Sequence, residues 1–383
     1  MSGPVWRVLG RDAEGATHAV DLAADGTETA RHRPTDLAAF VRASAPDVRW
    51  VWSDAARWYP PLLARGVVVE RCHDLRLCHT ILRGSALVAD RRALAGRWDA
   101  VSAPAASVRD DALFGLDDET DTLDGLDETL AELARQRAAV DGSADPGRLR
   151  LLLAAESAGA LVAAELHAAG LPWDAATHEA VLADLLGPRP AAGAHPARVE
   201  ELAGRVREAL NDPTASLDSQ PKLLRALHRV GVLAQSTSKW ELADYDHPVV
   251  VPLLEYKRLT RLLTANGWAW LDEWVDAGRF RPVYVPAGVV TGRWASSGGG
   301  ALQIPRQLRA AVRADPGWVL VSADVAQLEP RVLAGMSRDL AFAEAARGAD
   351  LYAGLVARGV VPSRDEAKIA ILGAMYGATT GDS

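Results

Sequence analysis

Only two cysteines, Cys72 and Cys78, occur in the 383 residues. No disulfide framework can therefore hold the fold, and its stability must come from buried apolar area. No uninterrupted apolar run approaches the roughly 20 residues of a membrane span. The opening stretch, MSGPVWRVLGRDAEG, has no apolar core of signal-peptide length, so a cytoplasmic protein with no membrane partner is expected. Lysine is almost missing, with Lys222, Lys239, Lys257 and Lys368 set against 42 positive charges in all. Arginine supplies the rest, as a GC-rich coding bias would produce, and each lysine stands out for that reason. Acids outnumber bases, and the net charge of −8 argues against a protein that coats nucleic acid with its whole surface. Also absent are G-x4-G-K-[ST], H-E-x-x-H, G-x-S-x-G, and G-x-G-x-x-G opening a helix after a strand, which removes the common nucleotide, zinc-protease and hydrolase signatures.

What is present is an ordinary globular composition, 49% apolar and 24% charged, in a chain long enough for two or three domains. Residues 1–100 read as a small α/β unit with strands at 6–9, 48–52 and 67–72 and a helix at 36–43. Residues 110–132 carry many acids and almost no base, and 101–147 as a whole reads as a solvated acidic linker. It is not a calcium loop: with Gly125 at the sixth loop position, Thr120 and Thr122 fall at the first and third. From Leu149 the pattern turns helical, over 149–170, 173–186, 197–211, 220–230 and 249–265. Strand-like segments follow at 281–285 and 318–322, then helices at 327–347 and 364–375.

Three segments carry the chemistry. In the last helix, Ser363 and Glu366 form a capping box, after which Arg364, Lys368, Leu372 and Tyr376 recur every four residues. That places a guanidinium and an ammonium one turn apart near a positive helix N-terminus, with an apolar and an aromatic side chain further along ~18 Å of one face. A solvated amphipathic face would show the same period. In residues 317–339 an apolar strand ends at Asp324, with Gln327, Glu329 and Arg331 close behind. A carboxylate at a strand end suits a hard cation, and equally suits a helix cap. Residues 291–313 hold Arg293, Arg306, Arg309 and Arg313 with no acid, and include Gly298–Gly300, which would let a ligand approach the backbone. Cys72, His73, Cys78 and His79 are zinc-compatible types, but on a strand the first two point to opposite faces and chance is the better reading.

In order and spacing the three segments resemble family A DNA polymerases, the bacterial DNA polymerase one type. TGRWASS…LQIP is similar to the segment leading into the palm, DVAQLEPR to motif A, and RDEAKIAILGAMYG to motif B of the fingers. STSKWEL and LLEYKRLTRLL are similar to segments preceding them, so the resemblance runs from about Leu149 to the end. It implies an α+β multidomain fold: a degenerate exonuclease-like (ribonuclease H-like) α/β domain over 1–100, then a helical thumb over 148–270, a partial palm over 271–338 and partial fingers over 339–383. It also implies template-directed DNA synthesis from dNTPs on primer-template DNA by a monomer at the nucleoid, with two Mg²⁺ ions as cofactor. By the same resemblance Asp324 and the Val325 carbonyl bind metal, and Glu329 gates against a ribose 2′-hydroxyl. Gln327 and Arg331 support the active site and primer. Arg364 and Lys368 hold the triphosphate, with Lys368 assisting the leaving group. Leu372 and Tyr376 lie by the nascent base pair, and Arg293, Gln303 and Arg309 contact DNA. Leu372 stands where an aromatic residue is usual, and Tyr352 follows Asp350-Leu351 where a histidine is usual.

Motif C, His-Asp-Glu, is not reached by Ser383. The expectation is a chain truncated before its second metal-binding carboxylate and unable to extend a primer, with a non-catalytic DNA- or nucleotide-binding remnant as the alternative. The first strand, VWRVLG, lacks the acids of the exonuclease motif, so that domain is expected to be inactive.

Overall fold

The computed structural model describes residues 6–100 and 123–377, apart from 192, 290, 349 and 376. Its contacts divide into two compact units, Met1–Asp315 and Pro316–Ser383.

The first unit opens with a five-stranded sheet. Its strands are β1 (Trp6–Arg11), β2 (Thr17–Leu22), β3 (Glu28–His32), β4 (Arg49–Trp52) and β5 (Cys72–Asp74), in the order β3-β2-β1-β4-β5. The first three form an antiparallel meander, and β4 and β5 run parallel to β1. Around the sheet lie α1 (Leu37–Arg42), α2 (Ala55–Trp58), α3 (Pro60–Leu63), α4 (Leu75–Gly84), α5 (Leu126–Asp141) and α6 (Pro146–Ala169). Strand alternation sorts the core. Val8, Val20 and Val51 pack with Trp98, Leu126 and Leu133, while Leu9, Ala19, Trp50 and Trp52 pack with Trp58, Tyr59 and Leu161. Arg7 is the polar exception in β1. It sits opposite Asp21 on β2, meets both its carboxylate oxygens at 2.5 and 2.8 Å, and lies over the rings of Phe40 and Trp50. A buried guanidinium is tolerable here because it is paired bidentately.

Two differences from the sequence reading have clear causes. The strands β2 and β3, THAVDL and ETARH, are too polar to stand out, and only the Asp25-Gly26 turn with Gly26 at φ +96° marks their hairpin. The acidic stretch is not solvated throughout. Its 101–122 part lies outside the described residues, but Leu126–Asp141 is a helix that buries Leu126, Leu133 and Val140. Glu132 is fully buried there because His79 Nδ1 at 2.8 Å, Gln136 Nε2 at 2.7 Å and Arg135 at 2.8 Å satisfy it. A Cβ on Gly10 would come within 2.4 Å of the Leu126 backbone, so only glycine lets α5 begin this close to β1.

The helical part continues with α7 (Ala175–Leu186), α8 (Ala197–Ala209), α9 (Gln220–Arg229), α10 (Lys239–Ala243), α11 (Val250–Asn266) and α12 (Trp268–Trp274). Leu182, Leu202, Val206, Leu227, Leu253 and Leu259 form its core, on the faces the 3.6-residue period predicts. Short strands flank these helices: β6 (Leu171–Pro172), before α7, joins β7 (Val275–Asp276) and β8 (Arg279–Phe280) in one sheet, and β9 (Val283–Val285) pairs antiparallel with β10 (Ala295–Gly298) in another. Trp173, Trp270 and Phe280 pack with ring centroids 4.8 to 5.4 Å apart beside His178.

The second unit contains α13 (Leu328–Ser337), α14 (Leu340–Ala346), α15 (Leu351–Ala357) and α16 (Arg364–Met375) around Leu351, Tyr352 and Ala367. The expected strand at 318–322 is not one: Trp318, Val319 and Val321 are exposed in irregular chain, since no strand pairs with them among the described residues. The helix expected over 327–347 is broken, because Arg338 adopts a left-handed φ of 56° and Asp339 then caps α14 through the Phe342 N–H at 3.0 Å. No described helix is long and apolar enough to cross a membrane.

Two buried histidines make stability pH-dependent. The Trp173 indole donates to Nδ1 of His178 at 3.3 Å, and His178 Nε2 then donates to the Asn266 carbonyl at 2.9 Å. This fixes the neutral ring, and burial lowers its pKa. Burial likewise pushes His73 down to about 4. Both bind more protons unfolded, so stability falls as pH drops from about 6.5. Burial works against charging His79 too, but Glu132 and Asp99 outweigh it and raise its pKa, so His79 opposes the trend. Asp74, which burial raises to about 7, opposes it as well, so the histidine contribution is read by difference: in thermal melts between pH 6.5 and 4.5 the wild type should lose Tm relative to His73→Gln as pH falls. A Gly10→Ala variant should lose roughly 1–3 kcal/mol in urea unfolding, through overpacking against Leu126.

Candidate nucleotide and nucleic-acid site

The centre of the second unit is the Asp350 carboxylate. As N-cap of α15 its Oδ1 accepts from the Tyr352 and Ala353 N–H groups at 2.9 and 3.2 Å. The same oxygen accepts from Gln327 Nε2 at 2.8 Å, while Gln327 Oε1 accepts from the Leu351 N–H at 2.8 Å. The other carboxylate oxygen, Oδ2, accepts from Arg364 Nε at 2.7 Å. The Arg364 guanidinium carbon also lies 5.5 Å from the centre of the Tyr352 ring. The Arg364 hydrogen bond above all, and the α15 cap after it, hold the Asp350 pKa below its ordinary value.

On α16 the capping box forms, with Ser363 Oγ donating to Glu366 Oε1 at 3.0 Å and accepting from the Glu366 N–H at 3.3 Å. Arg364 and Lys368 are exposed one turn apart and Leu372 is half-buried; Tyr376 lies outside the described residues. Lys368 has no ion pair among the described residues. Arg331, expected to support the active site and primer, donates to backbone: Nε to the Ala326 carbonyl at 3.0 Å, and the Nη groups to the carbonyls of Ala346 and, at 2.9 Å, Gly348. Glu329 is half-buried in the first turn of α13.

Asp324 and Val325 are exposed in the irregular segment before α13. A hard cation needs several oxygen ligands, and among the described residues no three His, Cys, Asp or Glu side chains converge where a metal ion could be held. Asp324 with one carbonyl does not fit a two-ion magnesium centre.

Of the residues expected at DNA, Arg293 is exposed ahead of β10, Gln303 is exposed on the 3₁₀ turn Ala301–Gln303, and Arg309 is exposed on Arg306–Ala311. Arg313 pairs with Asp174 at 2.9 Å. The glycines have a different use from the expected one. Cβ atoms on Gly298 and Gly299 would meet Trp274 at 2.2 Å and Phe280 at 2.7 Å, so they admit the protein's own aromatic rings, and of the three only Gly300 faces open space.

In the sheet region the acids near the strand ends are used internally. Asp54 takes Arg76 at 2.7 Å, Asp74 accepts from the Ala55 and Leu77 N–H groups at 2.7 and 3.0 Å, and Asp124 meets Arg57 at 3.3 Å. The four zinc-compatible side chains also have other partners: Cys72 the Ser157 carbonyl at 3.1 Å, His73 Gln136 at 2.8 Å, Cys78 the Ser157 hydroxyl at 3.5 Å, and His79 Glu132 and Asp99.

Asp350, at the centre of this network, is not among the candidate residues that the sequence offers. The signal was there: an acid directly before an apolar helix start, which marks an N-cap.

These arrangements lie largely within a segment similar to a known family. Residues 198–381 match the model of DNA polymerase family A. Within it the similarity is to bacterial DNA polymerase I. The chain is 34% identical over 151 residues to DNA polymerase I of Chloroflexus aurantiacus and 31% identical over 122 residues to the thermostable DNA polymerase I of Thermus aquaticus. These alignments take in 34% and 29% of this chain, and only 16% and 14% of the relatives' length. In fold it is similar to the POL domain of Pol1 from M. smegmatis, solved in complex with DNA primer-template and dNTP. The TM-score is 0.64 at 19% identity, over 98% of this chain and 68% of that one.

Gln327 is expected to hold α15 in place. In Gln327→Ala the Leu351 amide loses its acceptor, and its hydrogen-exchange protection should fall at least tenfold while amides late in α16 change little.

Proposed function

We propose that this chain serves template-directed DNA synthesis from dNTPs, and that its own residues supply the binding of primer-template DNA and of the nucleotide triphosphate. The observation that carries the reading is the match of residues 198–381 to DNA polymerase family A. Three of its features are chemically specific: Arg364 and Lys368 one turn apart on an exposed face, the Asp324-x-x-Gln327-x-Glu329-x-Arg331 pattern, and the acid-free arginine strip 291–313.

Each group has a physical role in this reading. Arg364 offers a planar fork for phosphate oxygens and Lys368 a compact point charge beside it. Arg293, Arg306 and Arg309, with the Gln303 amide, take DNA phosphates, which position the duplex while base pairing selects the nucleotide. Glu329 serves as the gate at the sugar and Leu372 as an apolar support for the base. The two-metal phosphoryl transfer of the family would start from Asp324 and Val325, but these two alone do not assemble a centre. For this chain we therefore favour DNA and nucleotide binding over complete catalysis. In the sheet region the internally paired acids support a degenerate exonuclease-like domain with no nuclease activity.

The test is fluorescence-anisotropy titration of a primer-template duplex at several salt concentrations, beside primer extension with Mg²⁺ and dNTPs. Binding should weaken with salt, and Arg306→Ala and Arg309→Ala should each reduce the log–log slope by about one. No primer extension is expected from the chain or from Asp324→Ala. Extension that Asp324→Ala abolishes would overturn the binding-only assignment, and salt-independent or absent DNA binding would overturn the whole reading.

A further inference from the structure

We propose that Asp350 is a positioning residue for Arg364, setting the guanidinium so that its Nη edge meets a phosphate group. The inference rests on the reading of α16 as the triphosphate-binding helix and adds a residue to it. Asp350 engages Nε alone, at 2.7 Å, and among the described residues no group accepts a hydrogen bond from the Nη groups. A guanidinium anchored through Nε keeps its two terminal nitrogens for bidentate contact with phosphate oxygens. Tyr352 fixes the plane from the side, its ring 5.5 Å from the guanidinium carbon.

The anchor is itself held. Asp350 Oδ1 is fixed by the two α15 amides and by Gln327 Nε2, and the same Gln327 side chain takes the Leu351 N–H. Gln327 stands at a left-handed φ of 54° directly before α13, a conformation that a glutamine holds only when its surroundings enforce it. A chain of hydrogen bonds thus runs from the start of α13 through the cap of α15 to the first residue of α16. An arginine side chain left unanchored would have to be ordered when phosphate binds; Asp350 removes that cost beforehand. The carboxylate also withdraws net positive charge from Arg364, and Lys368, one turn on, restores it.

The experiment is titration of the full chain, bound to primer-template, with a fluorescent N-methylanthraniloyl dATP, and separately with inorganic tripolyphosphate. The variants are Asp350→Ala, Asp350→Asn, Arg364→Ala, Lys368→Ala and the double variant Asp350→Ala/Arg364→Ala, with circular dichroism melts to confirm folding. Positioning predicts that Asp350→Ala weakens both ligands about tenfold, within the range for directly contacting residues. Asp350→Asn, which keeps one oxygen for the cap but turns an amide N–H donor toward Nε, should bind as weakly as Asp350→Ala while keeping the α15 cap, which separates loss of the anchor from loss of the cap. Adding Asp350→Ala to Arg364→Ala should cost nothing further. Unchanged or tighter binding by a folded Asp350→Ala would overturn the proposal, the tighter outcome marking Asp350 as a competitor for Arg364. If Arg364→Ala and Lys368→Ala also leave binding unchanged, or the chain takes neither ligand, the assignment of α16 falls and this proposal with it.

Discussion

One carboxylate organises the second unit. Asp350 ends an irregular stretch, starts α15, accepts the Gln327 amide and grips Arg364. Remove it in thought and three helices lose their common reference, because α13, α15 and α16 share few large buried side chains. Leu351, Tyr352, Ala346 and Ala367 are the buried residues of this core. Alanine contributes little apolar area, so polar geometry carries more of the order here than it does in the leucine-rich bundle of α7, α8, α9 and α11. Small cores have little to spare, and a half-satisfied network would leave this one without a unique arrangement.

The parts legible in the sequence were those where local signals agree. The α16 bounds follow from the Ser363-x-x-Glu366 box, and the long helices from leucines at helical spacing. Other parts depended on tertiary partners that no local pattern contains. Glu132 belongs in the core only because His79, from a helix more than fifty residues earlier, meets it. Gly298 and Gly299 look like a ligand loop until Trp274 and Phe280 are seen against them. The candidate site divides in the same way. Arg364 and Lys368 could be named from spacing, whereas Asp350 needed the fold to bring it to Arg364 across fourteen residues.

Charge shows a related economy. The net charge is negative, yet acids near the arginine strip are engaged in specific pairs, Asp174 with Arg313 and Asp315 with Arg279. Pairing localises the negative field and leaves Arg306 and Arg309 exposed on their 3₁₀ turn. The average charge is thus a poor guide to the potential a phosphate would meet on this face.

The segment Trp318–Val–Leu–Val321 exposes its four large apolar side chains by 52 to 86%. β-branched, uncharged and without proline, it has the composition of a sequence that adds to the edge of another chain's sheet. Asp315-Pro316 precedes it and Asp324 follows it. These flanks act as gatekeepers, since a proline cannot donate to a growing ladder and stacked carboxylates repel one another. By its position Asp324 is thus also a charge at the edge of an exposed apolar strip, so an alanine there changes the surface character of that strip as well as the carboxylate itself.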